Sequence, residues 1–322
     1  MEQILKIRDR LLECDEITII SHFHPDGDTI GSQLALAIGL EQLGKKTVLI
    51  NKDTVPQAYR YLCKWEDIKP LKPAKSLTKI VVCVDCATIE RTGYELTGYL
   101  DEDAILINID HHISNSCYGN LNWIGSNAAA TAELIYDLLG LLQVRIDQRI
   151  ANPLYVGIST DTGSFLYENT TSTTHVVVAD LINRGADINL LRNNYYENIS
   201  MEKIKLLTFG LNHLTFTEDN KISWITIDLV TFRATGAEDA DAEGLINYLK
   251  SISGVEIAII FRELAEKRIK ISFRSKKNAD VNKLAANFGG GGHPRAAGCI
   301  IEGSYLKEVV EMVIGETRKI LP

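Results

Sequence analysis

Four short apolar runs limit what this chain can fold into: Ile17–Ile20, Thr47–Ile50, Ile80–Val84 and Ala104–Ile109. Each has the length of a strand rather than a helix, and three of them run straight into acidic or imidazole side chains. Segments with helical spacing alternate with them. Thr29 to Leu43 reads as a helix closed by Gly44. Asn127 to Leu142 places Leu134, Ile135, Leu138, Leu139 and Leu142 at i, i+3, i+4 spacing. Asp147 to about Val156 and Thr173 to Asn183 read as two more helices. Such alternation implies an α/β fold with a mostly parallel sheet flanked by helices. In that architecture the strand C-termini share one edge, outside which ligands bind.

The polar residues at those strand ends suggest a site. Behind the first strand, Ser21-His-Phe-His-Pro-Asp-Gly-Asp28 puts His22, Asp26 and Asp28 on the turn into a helix. Gly27 lets the backbone turn tightly enough for two carboxylates to face one place. Crowded carboxylates need a shared proton or a cation, and carboxylate with imidazole suits a divalent ion such as manganese or zinc. A turn with an N-capping aspartate would account for Asp28 alone. Asp85 ends another strand, Asp110-His111-His112 ends a third, and Asp161 is read into the Gly-bounded turn 157–163. Gathering so many such groups is costly without cations. They exceed what one ion can take and fit two ions sharing a carboxylate, an arrangement that stabilises both oxygens of a phosphoryl displacement.

Composition removes several alternatives. The chain has 322 residues, 45% of them apolar and 24% charged, which fits a soluble globular protein of about two domains. The N-terminus lacks the apolar core of a signal peptide, and no apolar run approaches the ~20 residues of a membrane span. A cytoplasmic location is expected, with no membrane partner. Six scattered cysteines fit reduced thiols better than a disulfide framework. Cys83 and Cys86 form a CxxC, but within a strand residues an odd number apart point to opposite faces, and no second CxxC completes a zinc site. The net charge of −8 argues against a groove for long duplex nucleic acid. The stretch from Arg262 to Arg295 is different, with nine Lys/Arg against three Asp/Glu, and could receive an anionic substrate locally.

From Lys221 the pattern changes. Strands are expected at 222–227, 255–261 and 269–273, with helices near 239–251, 280–287 and 304–320. These give a second, smaller domain with a mixed sheet. The run Gly289-Gly-Gly-Gly-His-Pro-Arg-Ala-Ala-Gly298 frees the backbone to aim N–H groups at an anion, and Ala296-Ala297 could open a helix whose N-terminus helps. Expected boundaries are 1–186 for the first domain, 187–215 for a helical connector and 216–322 for the second.

Taken together, Ser21–Asp28, Val84-Asp85-Cys86-Ala87, Asp110-His111-His112 and Gly157-Ile-Ser-Thr-Asp-Thr-Gly163 resemble the four motifs of the DHH phosphoesterases. Arg274-Ser275 and the glycine run resemble the DHHA1 substrate domain. The pattern is most similar to the stand-alone nanoRNase and phosphoadenosine-phosphate (pAp) phosphatase group, often called NrnA-like. The resemblance implies an active site between the domains, two divalent ions of manganese type, and phosphoester hydrolysis by two-metal-activated hydroxide. It assigns His22, Asp26 and Asp85 to one ion, and Asp28, Asp85, His111 and Asp161 to the other. His112 is implied to meet the substrate phosphate at the reaction centre, while Asp110 orients the histidines. Arg262, Arg274, Ser275, Gly290, Gly291, Gly292, His293 and Arg295 are the implied substrate-binding residues. Implied partners are RNA oligonucleotides of two to five residues, cleaved to 5′-mononucleotides, and pAp, cleaved to AMP. Linear or cyclic dinucleotides are the alternative substrates, an inactive nucleotide sensor is a more remote one, and a homodimer is left open. His24, His175 and His213 are read as loop, core or surface residues.

Overall fold

The computed structural model describes residues 2–72, 77–277 and 279–321. The chain divides into two compact units, Met1–Asn198 and Ile199–Pro322. In the first unit α1 (Glu2–Glu13) is followed by β1 (Glu16–Ser21), α2 (Gly27–Gln42), β2 (Lys46–Ile50), β3 (Ile80–Val84), β4 (Ile105–Asp110) and β5 (Leu121–Ile124). The α-helices α3 (Thr131–Leu141), α4 (Gln148–Asp161), α5 (Ser172–Asn183) and the short α6 (Ile188–Leu191) follow, with short 3-10 and π turns in the connections. All five strands are parallel, in the order β2-β1-β3-β4-β5. That order reverses between β1 and β3, which is the place where a doubly wound sheet opens a crevice at its strand C-termini. The edge strand β5 carries only half-buried residues, so it lacks the apolar run by which the other four are recognised.

Helix α2 is the centre of this unit. Every residue from Gly27 to Leu40 is buried, so the helix is enclosed rather than amphipathic. It packs beside α4 through glycines. A Cβ on Gly31 would lie 2.3 Å from the carbonyl oxygen of Pro153, and one on Gly157 would lie 2.8 Å from Ala132 Cβ and 2.9 Å from Asp28 Oδ1. Gly157 is therefore a contact residue inside a helix, not a helix breaker. This corrects the expected turn, since α4 runs on through Asp161.

Four smaller corrections concern local geometry. The residue capping α2 is Asp26, whose side chain accepts from Thr29 N at 3.0 Å, and Asp28 lies within the first helical turn. Gly27 serves close approach instead of a sharp turn, because a Cβ there would meet Thr160 Oγ1 at 2.3 Å. Strand β3 ends at Val84, and Asp85 takes a left-handed conformation with φ of 55°, which Asp tolerates better than most residues. The reversal brings Cys86 into the same apolar cluster as Cys83, so the two thiols do not face opposite ways. Burial pushes both thiols up, and they pack as small hydrophobes.

The second unit comprises α7 (Met201–Asn212), β6 (Thr215–Phe216), β7 (Ile222–Ile227), α8 (Leu229–Thr235), α9 (Leu245–Ser251), β8 (Ile257–Ala265), β9 (Arg268–Ser275), α10 (Val281–Ala286), β10 (Gly291–His293), β11 (Ala296–Glu302) and α11 (Leu306–Lys319). Its sheet is mixed, in the order β10-β11-β9-β8-β7-β6, with β7 and β8 parallel and the other pairs antiparallel. Ile257, Ile259, Phe261, Ile271 and Phe273 face α10 and α11, and Ala258 and Ile260 face the α9 side. Of the stretch 187–215, residues through Asn198 belong to the first unit and the rest to the second. Ala296 and Ala297 open strand β11, not a helix, because they pair with Arg274 and Phe273 of β9. Among the described residues no helix is long and apolar enough to cross a membrane.

The α2–α4 contact gives the first test. Gly31→Ala forces a methyl group against a backbone carbonyl that cannot rotate away, and should cost about 1–3 kcal/mol of stability. Urea unfolding followed by circular dichroism measures this, and a loss below about 0.5 kcal/mol would contradict the packing.

Candidate metal centre

Strand ends and one helix end place the acidic and imidazole groups. His22 follows β1, Asp26 caps α2, Asp28 lies in its first turn, Asp85 follows β3, Asp110 ends β4, and His111 and His112 follow it. Asp161 arrives from a different layer, as the last residue of α4. Asp85 is at the centre. Its Oδ2 lies 3.4 Å from His22 Nε2, and its Oδ1 lies 3.9 Å from His111 Nε2 and 3.7 Å from His112 Nδ1. His111 Nε2 is also 3.4 Å from Asp161 Oδ2 and 4.0 Å from Asp28 Oδ2. Ligand atoms of His22, Asp26 and Asp85 fall within 4.8 Å of one another, as do those of Asp28, Asp85 and His111. His24 lies outside this cluster, exposed on its loop beside Asp53, and His175 and His213 are exposed on or at the end of helices.

Neutral residues that the motifs did not single out hold the carboxylates in place. Thr29 Oγ1, with one proton to donate, lies within hydrogen-bond reach of Asp26 Oδ1 at 2.9 Å and Asp85 Oδ2 at 2.8 Å, and 2.6 Å from His22 Nε2. The first turn of α3 points at Asp28, with Thr131 N donating to Oδ2 at 2.7 Å and Ala132 N to Oδ1 at 2.9 Å. Helix N-termini favour anions in this position. Thr131 Oγ1 also donates to Asp85 Oδ1 at 3.1 Å. Asp110 accepts from His112 Nδ1 at 2.7 Å, from the His111 backbone N–H at 2.9 Å and from Asn115 Nδ2 at 2.6 Å. This fixes the His112 tautomer with Nδ1 protonated. Threonine and asparagine are common loop and helix residues, so only spatial proximity identifies these supports.

The electrostatics follow from burial. Asp28 is 1% exposed, and desolvation together with the charges of Asp85 and Asp161 raises its pKa well above the carboxylate range. Burial likewise pushes Asp161 up to about 6, reinforced by Asp26 and Asp85 against the pull of His111. Asp85 goes the other way. Burial acts to raise it, but the hydrogen bond and charge of His22, with His112 and His111, hold it well below the usual range. His112 rises to about 9 because Asp110 and Asp85 outweigh the burial that would lower it. His22 is raised by Asp85, also against its own burial. Protonated imidazoles thus balance part of the carboxylate charge. The donor set fits divalent cations, being hard oxygens with imidazole nitrogens and more negative charge than the imidazoles cancel.

In the second unit, pairing brings His293, Ala296, Arg274 and Ala258 into one row across β10, β11, β9 and β8. Facing residues in register share a side of the sheet, so His293 and Arg274 stand on one face with the small side chain of Ala296 between them and Ala258 beside Arg274. The glycines allow close strand approach. A Cβ on Gly290 would meet the Gly298 carbonyl oxygen at 2.2 Å, and Gly292 has φ of 146°; Gly291 pairs with Gly298. Ser275 Oγ donates to Ala279 O at 2.7 Å, and Arg295 Nη1 donates to the same carbonyl at 3.0 Å, which ties down the hairpin. Arg262 is already engaged. It is 7% exposed, with Nη1 on Asp239 Oδ1 at 2.7 Å and Nη2 on Ser272 Oγ at 2.9 Å.

A parallel sheet with clustered carboxylates and imidazoles at its switch point, followed in sequence by a mixed-sheet unit, defines a phosphoesterase of the DHH class. Residues 16–158 match the model of the DHH family N-terminal domain, and 226–319 match that of the DHHA1 domain. The chain is 31% identical over 314 residues to a bifunctional oligoribonuclease and PAP phosphatase NrnA of Thermus thermophilus, covering 94% of this chain and 89% of that one. It is 30% identical over 292 residues to the protein of that name from Bacillus subtilis, covering 89% and 90%. The crystal structure of an exopolyphosphatase-related protein from Bacteroides fragilis superposes with a TM-score of 0.90 at 25% identity, covering 99% of this chain and 96% of the other. The chain belongs to the DHH/DHHA1 phosphoesterases, in the NrnA family of oligoribonucleases and PAP phosphatases.

The titrations give a pH test with a definite sign. Asp28 and Asp161 have raised pKa values, so their ionisation costs folded-state stability as pH rises through those values. His22 and His112 are also raised, and their stabilisation is lost as pH climbs through the folded values. Asp85 is depressed and loses its contribution only in acid. Calorimetry of chelator-treated protein should therefore show the melting midpoint falling between about pH 5 and 9. Added Mn²⁺ should raise that midpoint most at the alkaline end, and a midpoint indifferent to metal would contradict the assignment.

Proposed function

We propose that this protein hydrolyses RNA oligonucleotides of two to five residues to 5′-mononucleotides, and pAp to AMP, in the cytoplasm and with manganese. The observation that carries the reading is the shared position of Asp85 between two sets of ligand atoms, one with His22 and Asp26 and the other with Asp28 and His111. Asp161 joins the second set through its closeness to His111. Two divalent ions bound there would polarise the phosphoryl group and supply a hydroxide at neutral pH.

The chain's own residues supply the remaining functions. Asp110 holds His112 through Nδ1–H and raises its pKa, which leaves the Nε2–H of the imidazolium to donate to a phosphoryl oxygen as charge develops there. Thr29, Thr131 and the start of α3 hold the carboxylates in one orientation, so little reorganisation accompanies reaction. Within the second unit, Arg274, His293, Arg295 and the glycine hairpin are the proposed substrate-binding residues, with Arg274 and Arg295 suited to bidentate phosphate contacts. The net charge of −8, against a small basic stretch, supports short substrates over long ones.

A side-by-side assay with Mn²⁺ tests this, using an RNA trimer, a 24-nucleotide RNA, pAp, and a cyclic dinucleotide with its linear form. Trimer and pAp should be strongly preferred. Asp85→Ala should reduce turnover by at least about a thousandfold, because it removes a ligand from both ion sites. Preference for the cyclic dinucleotide would move the substrate assignment, and activity surviving Asp85→Ala would overturn the metal assignment.

A further inference from the structure

We infer that Arg91 binds the non-reacting phosphate of the substrate, an inference that rests on the oligoribonucleotide and pAp reading above. Arg91 lies in the single 3-10 turn Ile89–Thr92 that follows β3 and Asp85. Its position is fixed at both ends. The backbone carbonyl accepts from Phe23 N at 2.8 Å, and the guanidinium sits over the Phe23 ring, 4.9 Å from the centroid. Phe23 is the neighbour of His22, and Arg91 Nη2 lies 3.5 Å from His22 Nδ1.

That contact does not explain why an arginine is held there. His22 Nδ1 lies 2.8 Å from the Phe23 carbonyl oxygen, which can only accept, so Nδ1 carries the proton. The imidazole therefore offers Arg91 a donor rather than an acceptor. Among the described residues no carboxylate pairs with Arg91, and the side chain is exposed. A second cation borders the same turn. Lys52 lies along Gly93, where an added Cβ would come within 3.4 Å of Nζ. The nearby carboxylate of Asp53 is occupied by the backbone N–H of His24 at 2.7 Å. The result is a planar fork of donors, held in place and without an anion, which is the feature that suits arginine to phosphate.

The side of His22 on which Arg91 stands decides which phosphate it meets. Asp85, the carboxylate shared by both ligand sets, lies towards Nε2, 3.4 Å away through Oδ2, and the supporting Thr29 Oγ1 is 2.6 Å from the same atom. Arg91 is on the Nδ1 side, one imidazole ring away from the reaction centre. A group there reaches a phosphate next to the one being hydrolysed. pAp, RNA of three or more residues and 5′-phosphorylated dinucleotides carry such a phosphate, and a simple phosphomonoester does not. Arg91 would thus help to select nucleotides with two or more phosphates along the sugar backbone.

Calorimetric titration of the Mn²⁺-loaded protein with AMP and with adenosine tests the inference, because AMP retains the phosphate that is not hydrolysed in pAp. The wild type should bind AMP more tightly than adenosine. Arg91→Gln should weaken AMP roughly ten- to hundredfold and leave adenosine unchanged, with Arg91→Lys recovering part of the loss. In turnover of pAp the Arg91→Gln change should fall on KM rather than kcat. Unchanged AMP affinity in Arg91→Gln, or a loss confined to kcat, would overturn the inference. A wild type that binds AMP through Arg91 but cleaves neither trimer nor pAp would sink the substrate reading while supporting the phosphate site.

Discussion

The gathering of five carboxylates at one end of a parallel sheet is the constraint on which the rest of this structure depends. Asp28, Asp85 and Asp110 are almost fully buried, at 1%, 2% and 0% exposure. Each buried ion carries a desolvation penalty of several kcal/mol, offset only by compensating charge and hydrogen bonds. The first unit supplies both. Imidazoles face Asp85 from three directions, the start of α3 aims N–H groups at Asp28, and Asp110 is met by three donors. Divalent cations would complete the neutralisation, so the groups that make the unit expensive to fold without metal are those that would hold the ions.

The scaffold explains how such crowding is maintained. The strand order places β1 and β3 side by side at the reversal point, so the segments after them meet without long excursions. Enclosed α2 carries Asp26 at its N-cap and Asp28 in its first turn, and its glycine contact with α4 brings Asp161 to the same place. A side chain at Gly157 would press on Asp28 itself, so packing and chemistry share that position. Loops could supply the same residue types, but not with every backbone fixed by a buried element.

Much of this was legible in the residues because the informative ones are unusual where they stand. Acidic and imidazole groups directly behind apolar strands have few structural uses, and so His22, Asp85 and His111 could be named before any coordinate. The alternation of apolar runs likewise gave the parallel sheet, except for β5, whose half-buried residues carry no such pattern. Glycine misled twice. Gly27 and Gly157 read as turn residues, yet both mark close approach of another segment, a property of the neighbouring element that periodicity does not record. The Asp26 cap and the reversal at Asp85 are single-residue conformations that neighbouring residues decide. Thr29, Thr131, Asn115 and Arg91 stayed hidden because ordinary polar residues acquire meaning only through distance. Arg262 shows the converse, a conspicuous charge whose partner, Asp239, is 23 residues away.

The shared role of Asp85 is the central claim, and electron paramagnetic resonance of the Mn²⁺-titrated protein tests it most directly. Two ions per chain bridged by one carboxylate should give an exchange-coupled spectrum that develops together with the second equivalent of metal. Asp85→Ala should bind less metal and show only isolated Mn²⁺. A single uncoupled ion in the wild type, or coupling that persists in Asp85→Ala, would contradict the account.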